Sequence, residues 1–164
     1  PGTGGHMSVE LLKSLTGIDL VHIPYKGAGP ALVDVVAGQV QIICTSPLPA
    51  MPHVKAGRLR ALGMTSLQRS PAHPDVPPVA DTVPGYQSTL WYALLAPAST
   101  PQAIVKKVHA ETVKVLAAPQ MREQLLSLGA TPVGNSPQEL QNFMRDEIAM
   151  WNKLVKQANI KLNP

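Results

Sequence analysis

A glycine-rich turn followed at once by an amphipathic helix is the feature of this chain best suited to chemistry. Residues 1–6 are rich in glycine, and apolar residues then recur at helical spacing until Gly17 ends the pattern. The first amides of a helix have no partner within it, and the positive end of the helix dipole lies behind them. Such a turn holds an anion: a carboxylate, phosphate or sulfate. The predicted residues of this first turn are Thr3, Gly4, Gly5 and His6.

Two further polar turns are predicted to lie at the same edge of the fold. The second turn, Lys26, Gly27 and Ala28, joins a predicted strand to a helix, and the third turn, Thr45 and Ser46, ends the next strand. Ligands of open parallel sheets bind beyond the carboxyl ends of the strands, so the three turns form one predicted site. Alternatives stay open. The first turn could be an unliganded loop or a cloning remnant, and Lys26 an ordinary surface lysine.

The remaining side chains offer little for catalysis. Cys44 is the only cysteine, the five histidines show no metal-ligand spacing, and no nucleophile elbow or acidic pair is present. We therefore expect no metal, no cofactor and no enzymatic activity. The net charge of +4 is scattered along the chain, so no nucleic-acid partner is expected. No apolar run approaches the ~20 residues that span a bilayer.

Helices and strands alternate through the first half, which is typical of a parallel sheet with crossover helices. Helices are predicted before Gly17, from Pro30 to Gly38 and over residues 48–56. Short apolar runs rich in branched residues predict buried strands over residues 18–25, 39–44 and 58–65.

The second half has a different layout. Five prolines predict an ordered loop over residues 66–85, and a strand is predicted over residues 86–96. Three helices follow: one after Thr100-Pro101, one over residues 119–128, and one opened by a capping box at Ser136 and Glu139. On this last helix Phe143, Met144 and Trp151 are predicted to be core residues, and a domain boundary is predicted near residues 85–92.

The ordered set of motifs resembles the solute receptors of tripartite tricarboxylate transporters, the Bug/TctC family. The first half carries the resemblance in residues 2–7 with Glu10, residues 21–27 with Pro30-Ala31, residues 38–40 and residues 52–61. The second half adds residues 74–77, 84–86, Trp91 and residues 96–101. The match covers essentially the whole chain, and it makes a cloning remnant at the first turn an unnecessary explanation.

The resemblance implies a type II-like periplasmic binding protein, an α/β fold whose two lobes hold a carboxylated solute between them. It implies ligand contacts at the first turn, and with less support at the second and third turns. The function implied is capture of a di- or tricarboxylate, or an acidic amino acid, for the membrane subunits of a transporter in the periplasm. The rival interpretations are a ligand-sensing interaction module and an enzyme acting on an anionic substrate.

Members of this family are nearly twice as long as this chain, so the resemblance implies a C-terminal fragment. Residues 1–88 are then expected to form most of the second lobe, a parallel-sheet lobe that lacks its start. Residues 89–164 are expected to complete a first lobe whose N-terminal half is absent. The apolar faces of the last helices would lack their native sheet, and we expect them to drive dimerisation or domain swapping.

Overall fold

The computed structural model describes residues 2–157, in which helices alternate with non-helical segments. The helices are α1 (Gly4–Thr16), α2 (Ala28–Val36), α3 (Pro47–Lys55), α4 (Gln102–Ala117), α5 (Pro119–Ser127) and α6 (Pro137–Gln157), with a short 3₁₀ turn at Val79–Asp81.

Several helix boundaries agree with the predictions made from local signals, whereas α2 begins at Ala28 and not at the predicted Pro30. Gly17 ends α1 in the left-handed region, at a φ of 70°, and its amide donates to the Lys13 carbonyl at 2.8 Å. Pro47 and Pro119 occupy the first positions of α3 and α5, where the missing amide costs nothing. All these helix ends depend on residues within one turn of the boundary.

The four segments predicted as strands do not form a ladder within the described residues. In these residues one isolated parallel bridge joins Met64 to Pro78. The prediction of regular strands over 18–25, 39–44, 58–65 and 86–96 is therefore wrong for the chain as described. A strand needs a second extended segment at hydrogen-bonding distance along its length, and apolar sequence alone does not supply one.

The bridge at Met64 fixes the proline-rich loop. The Met64 amide donates to the Pro77 carbonyl, and the Val79 amide donates to the Met64 carbonyl, both at 2.8 Å. Thr65, the residue after Met64, accepts the Ser88 amide at its carbonyl at 3.0 Å. The loop over residues 66–85 is thus ordered by contacts at both of its ends.

The chain divides into two compact units. The first contains residues 2–89 and residues 151–157 of α6, and in it α2 packs against α3. All the buried apolar side chains of the described residues lie in this unit: Met7, Leu32, Val76, Pro78, Tyr86 and Leu154. The core therefore gathers around α1 and the segment that ends at Ser88.

The second unit, Leu90–Met150, contains α4, α5 and most of α6. Here α4 packs against α5, and the Trp91 and Phe143 rings meet edge to face with centroids 5.3 Å apart. Phe143, predicted to be a core residue, is 38% exposed. It packs on one aromatic ring instead of being enclosed. The assignment of residues 1–88 and 89–164 to the two lobes of a receptor stays a prediction.

Candidate functional site

The first turn is the N-terminus of α1. Thr3 is the N-cap residue, with an extended backbone at ψ 158°, and its hydroxyl accepts the His6 amide at 3.4 Å. The Thr3 carbonyl accepts the Met7 amide at 2.9 Å. Within residues 2–157 the amides of Gly4 and Gly5 have no hydrogen-bond partner. The helix therefore caps one of its first amides internally and leaves two to face an external acceptor.

The His6 side chain folds back over the turn. Its Nδ1 accepts the Gly2 amide at 3.1 Å, so the proton of the neutral ring lies on Nε2. Nε2 lies 3.9 Å from Oε1 of Glu10, which also accepts a 2.9 Å bond from Lys13. Burial, and then the neighbouring His22, lower the pKa of His6 below its ordinary value. The ring is therefore held as a neutral acceptor that shapes the turn.

His22 stacks on His6, with ring centroids 4.1 Å apart and planes inclined by 28°. The contact attaches the segment between α1 and α2 to the start of α1. His22 stands four residues before Lys26, so the stack also restrains the approach to the second turn. The sequence motif contained both histidines, but no spacing rule indicated that their rings would meet.

A hydroxyl network supports the first turn of α1 from within the core. Ser8 donates to the Gly4 carbonyl at 2.7 Å, which uses its single hydroxyl proton. Ser88 must then be the donor in its 2.7 Å contact with Ser8. Tyr86 donates to the Ser8 carbonyl at 3.2 Å, and burial raises the pKa of Tyr86 to about 12, so it stays a donor at neutral pH.

Gly5 brings the third turn to the first. A Cβ at Gly5 would overlap the carbonyl oxygen of Cys44, so only glycine lets the two backbones approach this closely. Cys44 precedes Thr45 directly, so this contact places the third turn beside the start of α1. Burial raises the pKa of the Cys44 thiol, which keeps it protonated and inert at neutral pH.

The second turn is built separately, at the N-terminus of α2. Gly27 is the N-cap residue with φ 122° and ψ 173°, a conformation open to glycine and rarely to other residues. Tyr25 donates to Asp34 at 2.6 Å and so fastens the turn to its own helix; this bond is the main cause of the raised pKa of Tyr25. Lys26 is exposed, and no backbone hydrogen bond among residues 2–157 joins residues 26–28 to the first or third turn.

The third turn offers hydroxyl groups more than amides. Ser46 is the N-cap of α3, but its side chain makes no capping bond. Pro47 and Pro49 lack an amide hydrogen, so the first three positions of α3 provide only the Leu48 amide. Thr45 is half-buried and Ser46 exposed. The hydroxyls of these two residues, together with the Leu48 amide, are therefore donors that this turn offers.

The structure thus brings together two of the three predicted turns and adds residues that the sequence reasoning missed. The sequence did not predict that His22, Glu10 and Cys44 contact the first turn. It also did not predict that Ser8, Tyr86 and Ser88 support this turn. The spacing of His6, Glu10 and Lys13, one helical turn apart, was a usable signal for the contact of Glu10 with His6 and its ion pair with Lys13. Within the described part of the chain, no helix is long and apolar enough to cross a membrane, and no group of side chains could hold a metal ion.

Solved structures that superpose on this chain include a periplasmic binding protein and two proteins with a bound carboxylic acid. One is the R. palustris protein Rpa4515 with adipate, at TM-score 0.86 and 36% identity over 97% of this chain and 54% of its own. Another is MatC from Rhodopseudomonas palustris with bound malate, at TM-score 0.78 and 33% identity over 92% of this chain and 53% of its own. The periplasmic binding protein BugD superposes at TM-score 0.79 and 30% identity, covering 98% of this chain and 55% of its own. The predicted fold class is confirmed.

The sequence identifies the family within that class. The profile of the tripartite tricarboxylate transporter family receptor, TctC, matches residues 1–160. The chain belongs to this family.

The chain spans about half the length of several curated relatives. It is 36% identical to the UPF0065 protein in the tcbD–tcbE intergenic region of Pseudomonas sp. strain P51, over 99% of this chain and 49% of the relative. It is 34% identical to the UPF0065 protein in the clcB–clcD intergenic region of Pseudomonas knackmussii, over 99% of this chain and 97% of the relative. The expectation of relatives nearly twice as long holds for the first and not for the second.

Proposed function

We propose that the chain is part of a periplasmic solute receptor that captures a small carboxylate between two lobes and delivers it to a tripartite tricarboxylate-type transporter. Membership of the family supports the receptor role. Two superposable receptors were solved with dicarboxylates, adipate and malate, which supports a di- or tricarboxylate as ligand here. Closure of the lobes around the ligand is the signal that the membrane subunits would recognise.

The observation that carries the proposal is the pair of free amides at the start of α1. The amides of Gly4 and Gly5 have no described partner and lie at the positive end of the helix dipole. Beneath them, the Ser8 network and the Gly5–Cys44 contact fix the turn. One carboxylate group can therefore bind without reorganisation of the backbone.

The other predicted ligand residues have separate roles in this proposal. Thr45 and Ser46, next to the first turn through Cys44, would contact the same carboxylate group or the ligand atoms beside it. Residues 26–28 would bind the far end of the ligand, where Lys26 supplies a positive charge. These assignments are proposals for the complete receptor with its ligand bound.

The same geometry predicts weak binding by this chain alone. A hydrogen bond to a charged group contributes about 1.5–3 kcal/mol. Two such bonds therefore fall short of the ~8 kcal/mol that micromolar affinity requires. The rest of the binding free energy has to come from the opposite lobe. We therefore expect this chain alone to bind a carboxylate with a millimolar dissociation constant.

A receptor role is favoured over an enzyme, whereas a sensing module is a rival that the site itself does not separate from a transport receptor. An enzyme acting on an anionic substrate would need a base or nucleophile beside the first turn. The nearby Cys44 thiol has its pKa raised by burial, and His6 spends its free nitrogen on the Gly2 amide. A sensing module would use the same ligand site, so the neighbouring genes are the observation that separates sensing from transport.

Replacing Gly4 with proline tests the amide directly. Proline suits the first position of a helix, and Thr3 before it already has the extended backbone that proline demands, so Gly4→Pro removes one N–H and little else. We expect adipate or malate at millimolar concentration to shift the Gly5 amide resonance of the unaltered chain in a saturable way. Gly4→Pro should weaken that binding at least about tenfold, as loss of a charged hydrogen bond implies.

Gly4→Ala is the matched control, because it keeps the amide, and its affinity should stay within about twofold of the unaltered chain. Equal affinities for the proline and alanine variants would remove the Gly4 amide from the site. Absence of a saturable shift with either acid would overturn the proposal for this chain.

A further inference from the structure

The peptide group between Gly4 and Gly5 is bonded from inside the protein at one end and open at the other. Its carbonyl, on Gly4, accepts the Ser8 hydroxyl at 2.7 Å. Its amide, on Gly5, has no hydrogen-bond partner within residues 2–157. Because resonance joins the two ends of a peptide group, a hydrogen bond to the oxygen draws electrons from the nitrogen and makes the N–H a stronger donor. Ser8 therefore acts on the Gly5 amide from behind.

The chain of hydroxyl donors behind this peptide group begins at Ser88. Ser88 donates to Ser8 at 2.7 Å, because Ser8 spends its single proton on Gly4. The Ser88 backbone is itself held by the bond from its amide to the Thr65 carbonyl at 3.0 Å. Ser8 and Ser88 are only 5% and 4% exposed, so water does not compete for their hydroxyls. Successive bonds of this kind polarise one another, and here each donates toward the first turn.

The preceding peptide group, between Thr3 and Gly4, lacks this reinforcement. The Thr3 carbonyl accepts the Met7 amide at 2.9 Å, an ordinary helix bond, and within the described residues it accepts no hydroxyl. The two open amides of the first turn are therefore unequal. The Gly5 amide is the stronger donor of the pair.

We infer that Ser8 and Ser88 are positioning residues for the ligand, because they strengthen the Gly5 amide as a donor to a carboxylate that neither side chain contacts. The inference rests on the proposed function, which supplies the carboxylate. A charged acceptor gains more from a strong donor than a neutral one does, so the network favours a carboxylate over an uncharged carbonyl. Ser88 lies 80 residues from Ser8 along the chain, so no local motif indicated this role.

The resonances of the ligand-free chain test the polarisation. Ser8→Ala removes the bond to the Gly4 carbonyl and suits a helix. We expect the carbonyl carbon of Gly4 and the amide of Gly5 to shift upfield, and the amide of Gly4 to shift less. Thr16→Val is the matched control, because it removes a 2.7 Å bond of the same kind, to the Leu12 carbonyl of the same helix. It should leave both glycine resonances in place.

Titration with adipate and with malate tests the effect on affinity. Ser8→Ala should raise the dissociation constant about threefold, since one polarising bond adds roughly 10–30% to the strength of the next. Thr16→Val should bind as the unaltered chain does.

The double variant Ser8→Ala/Ser88→Ala separates polarisation from general support of the fold. In Ser8→Ala the Ser88 hydroxyl stays buried without its acceptor, so removing it as well should raise the urea midpoint again. The double variant should nevertheless bind as weakly as Ser8→Ala, because Ser88 acts on the Gly5 amide only through Ser8. A purely structural role would restore affinity together with stability.

Affinity that recovers with stability in the double variant would overturn the inference. So would a Gly5 amide resonance that stays in place in ligand-free Ser8→Ala. Absence of saturable binding by the unaltered chain is a separate result, because it would overturn the proposed function and leaves the ligand-free resonances to decide whether Ser8 polarises the Gly5 amide.

Discussion

Gly5 shows how one residue can serve both the ligand and the fold. Its amide is free to face an acceptor, while the space that a Cβ would fill is already taken by the Cys44 carbonyl oxygen. The second role explains why glycine is required at this position more strictly than amide donation alone would demand. It also ties the geometry of the first turn to that of the third.

Gly5→Ala should therefore destabilise the chain through overpacking. Its new methyl group meets backbone atoms, which cannot rotate away, so one of the two segments must move. The expected cost is about 1–3 kcal/mol in the free energy of unfolding, measured by urea denaturation. Gly29→Ala, in α2, is the control, because a Cβ at Gly29 would have open space around it, and it should change stability little. Equal stabilities for the two variants would mean that the backbone at Gly5 or Cys44 can move to make room for the methyl group without loss of stability.

Residue-level prediction from sequence succeeded where chemistry is local and failed where it depends on tertiary contact. Thr3 and the glycines after it predict a helix start with unpaired amides, and in the structure α1 begins at Gly4 with Thr3 as its N-cap. Nothing in the spacing of His6 and His22, or of Gly5 and Cys44, revealed that these residues meet. Those contacts are set by the path of the chain between them, which local signals do not determine.

The same distinction applies to whole elements. Each helix carries its own boundary signals, such as Gly17 after α1 and Pro119 at the start of α5, and these positions were predicted. A strand carries half of its determinants in another segment. The apolar runs over residues 39–44 and 58–65 resemble buried strands, yet their side chains are mostly half-buried or exposed in the described structure. Their composition indicates that they are apolar, but it does not indicate which other segment would pair with them.

The start of α6 offers a test of a locally encoded element. The Ser136 amide donates to Glu139 at 2.7 Å, and the Glu139 amide donates to the Ser136 hydroxyl at 3.3 Å, which is the predicted capping box. The bond from the Ser136 amide to the carboxylate, and after it the Ser136 hydroxyl, lower the pKa of Glu139 below its ordinary value of 4.5. The box is thus complete above that value and is lost as the pH falls through the lowered pKa.

We expect the Ser136 amide resonance to change with pH as the Glu139 carboxylate gains its proton, with the midpoint of the change below pH 4.5. In Glu139→Gln the side chain keeps a carbonyl acceptor but cannot titrate, so the same resonance should stay flat. A transition of the unaltered chain at or above 4.5 would show that the box does not stabilise the charged form.

For the whole molecule, burial is distributed unevenly between the two units. The buried apolar side chains lie in the first unit, and in the second unit the large apolar residues are half-buried or exposed. Loss of packing in the first unit should therefore dominate the measured stability of the chain. Groups that titrate inside this unit are the ones whose protonation should appear in global unfolding.

His6 is such a group, and it predicts the pH dependence of unfolding. Burial and His22 lower its pKa, Lys13 and the amino terminus act in the same direction, and Glu10 opposes them. The unfolded chain, with a His6 pKa near 6.5, then binds more protons than the folded chain, so stability decreases as the pH falls through this range. We expect a smaller free energy of unfolding in urea at pH 5.5 than at pH 7.5. His6→Gln should show a smaller difference, whatever its own stability, because only the slope reports the proton. Equal slopes would mean that His6 charges as readily in the folded chain as in the unfolded one.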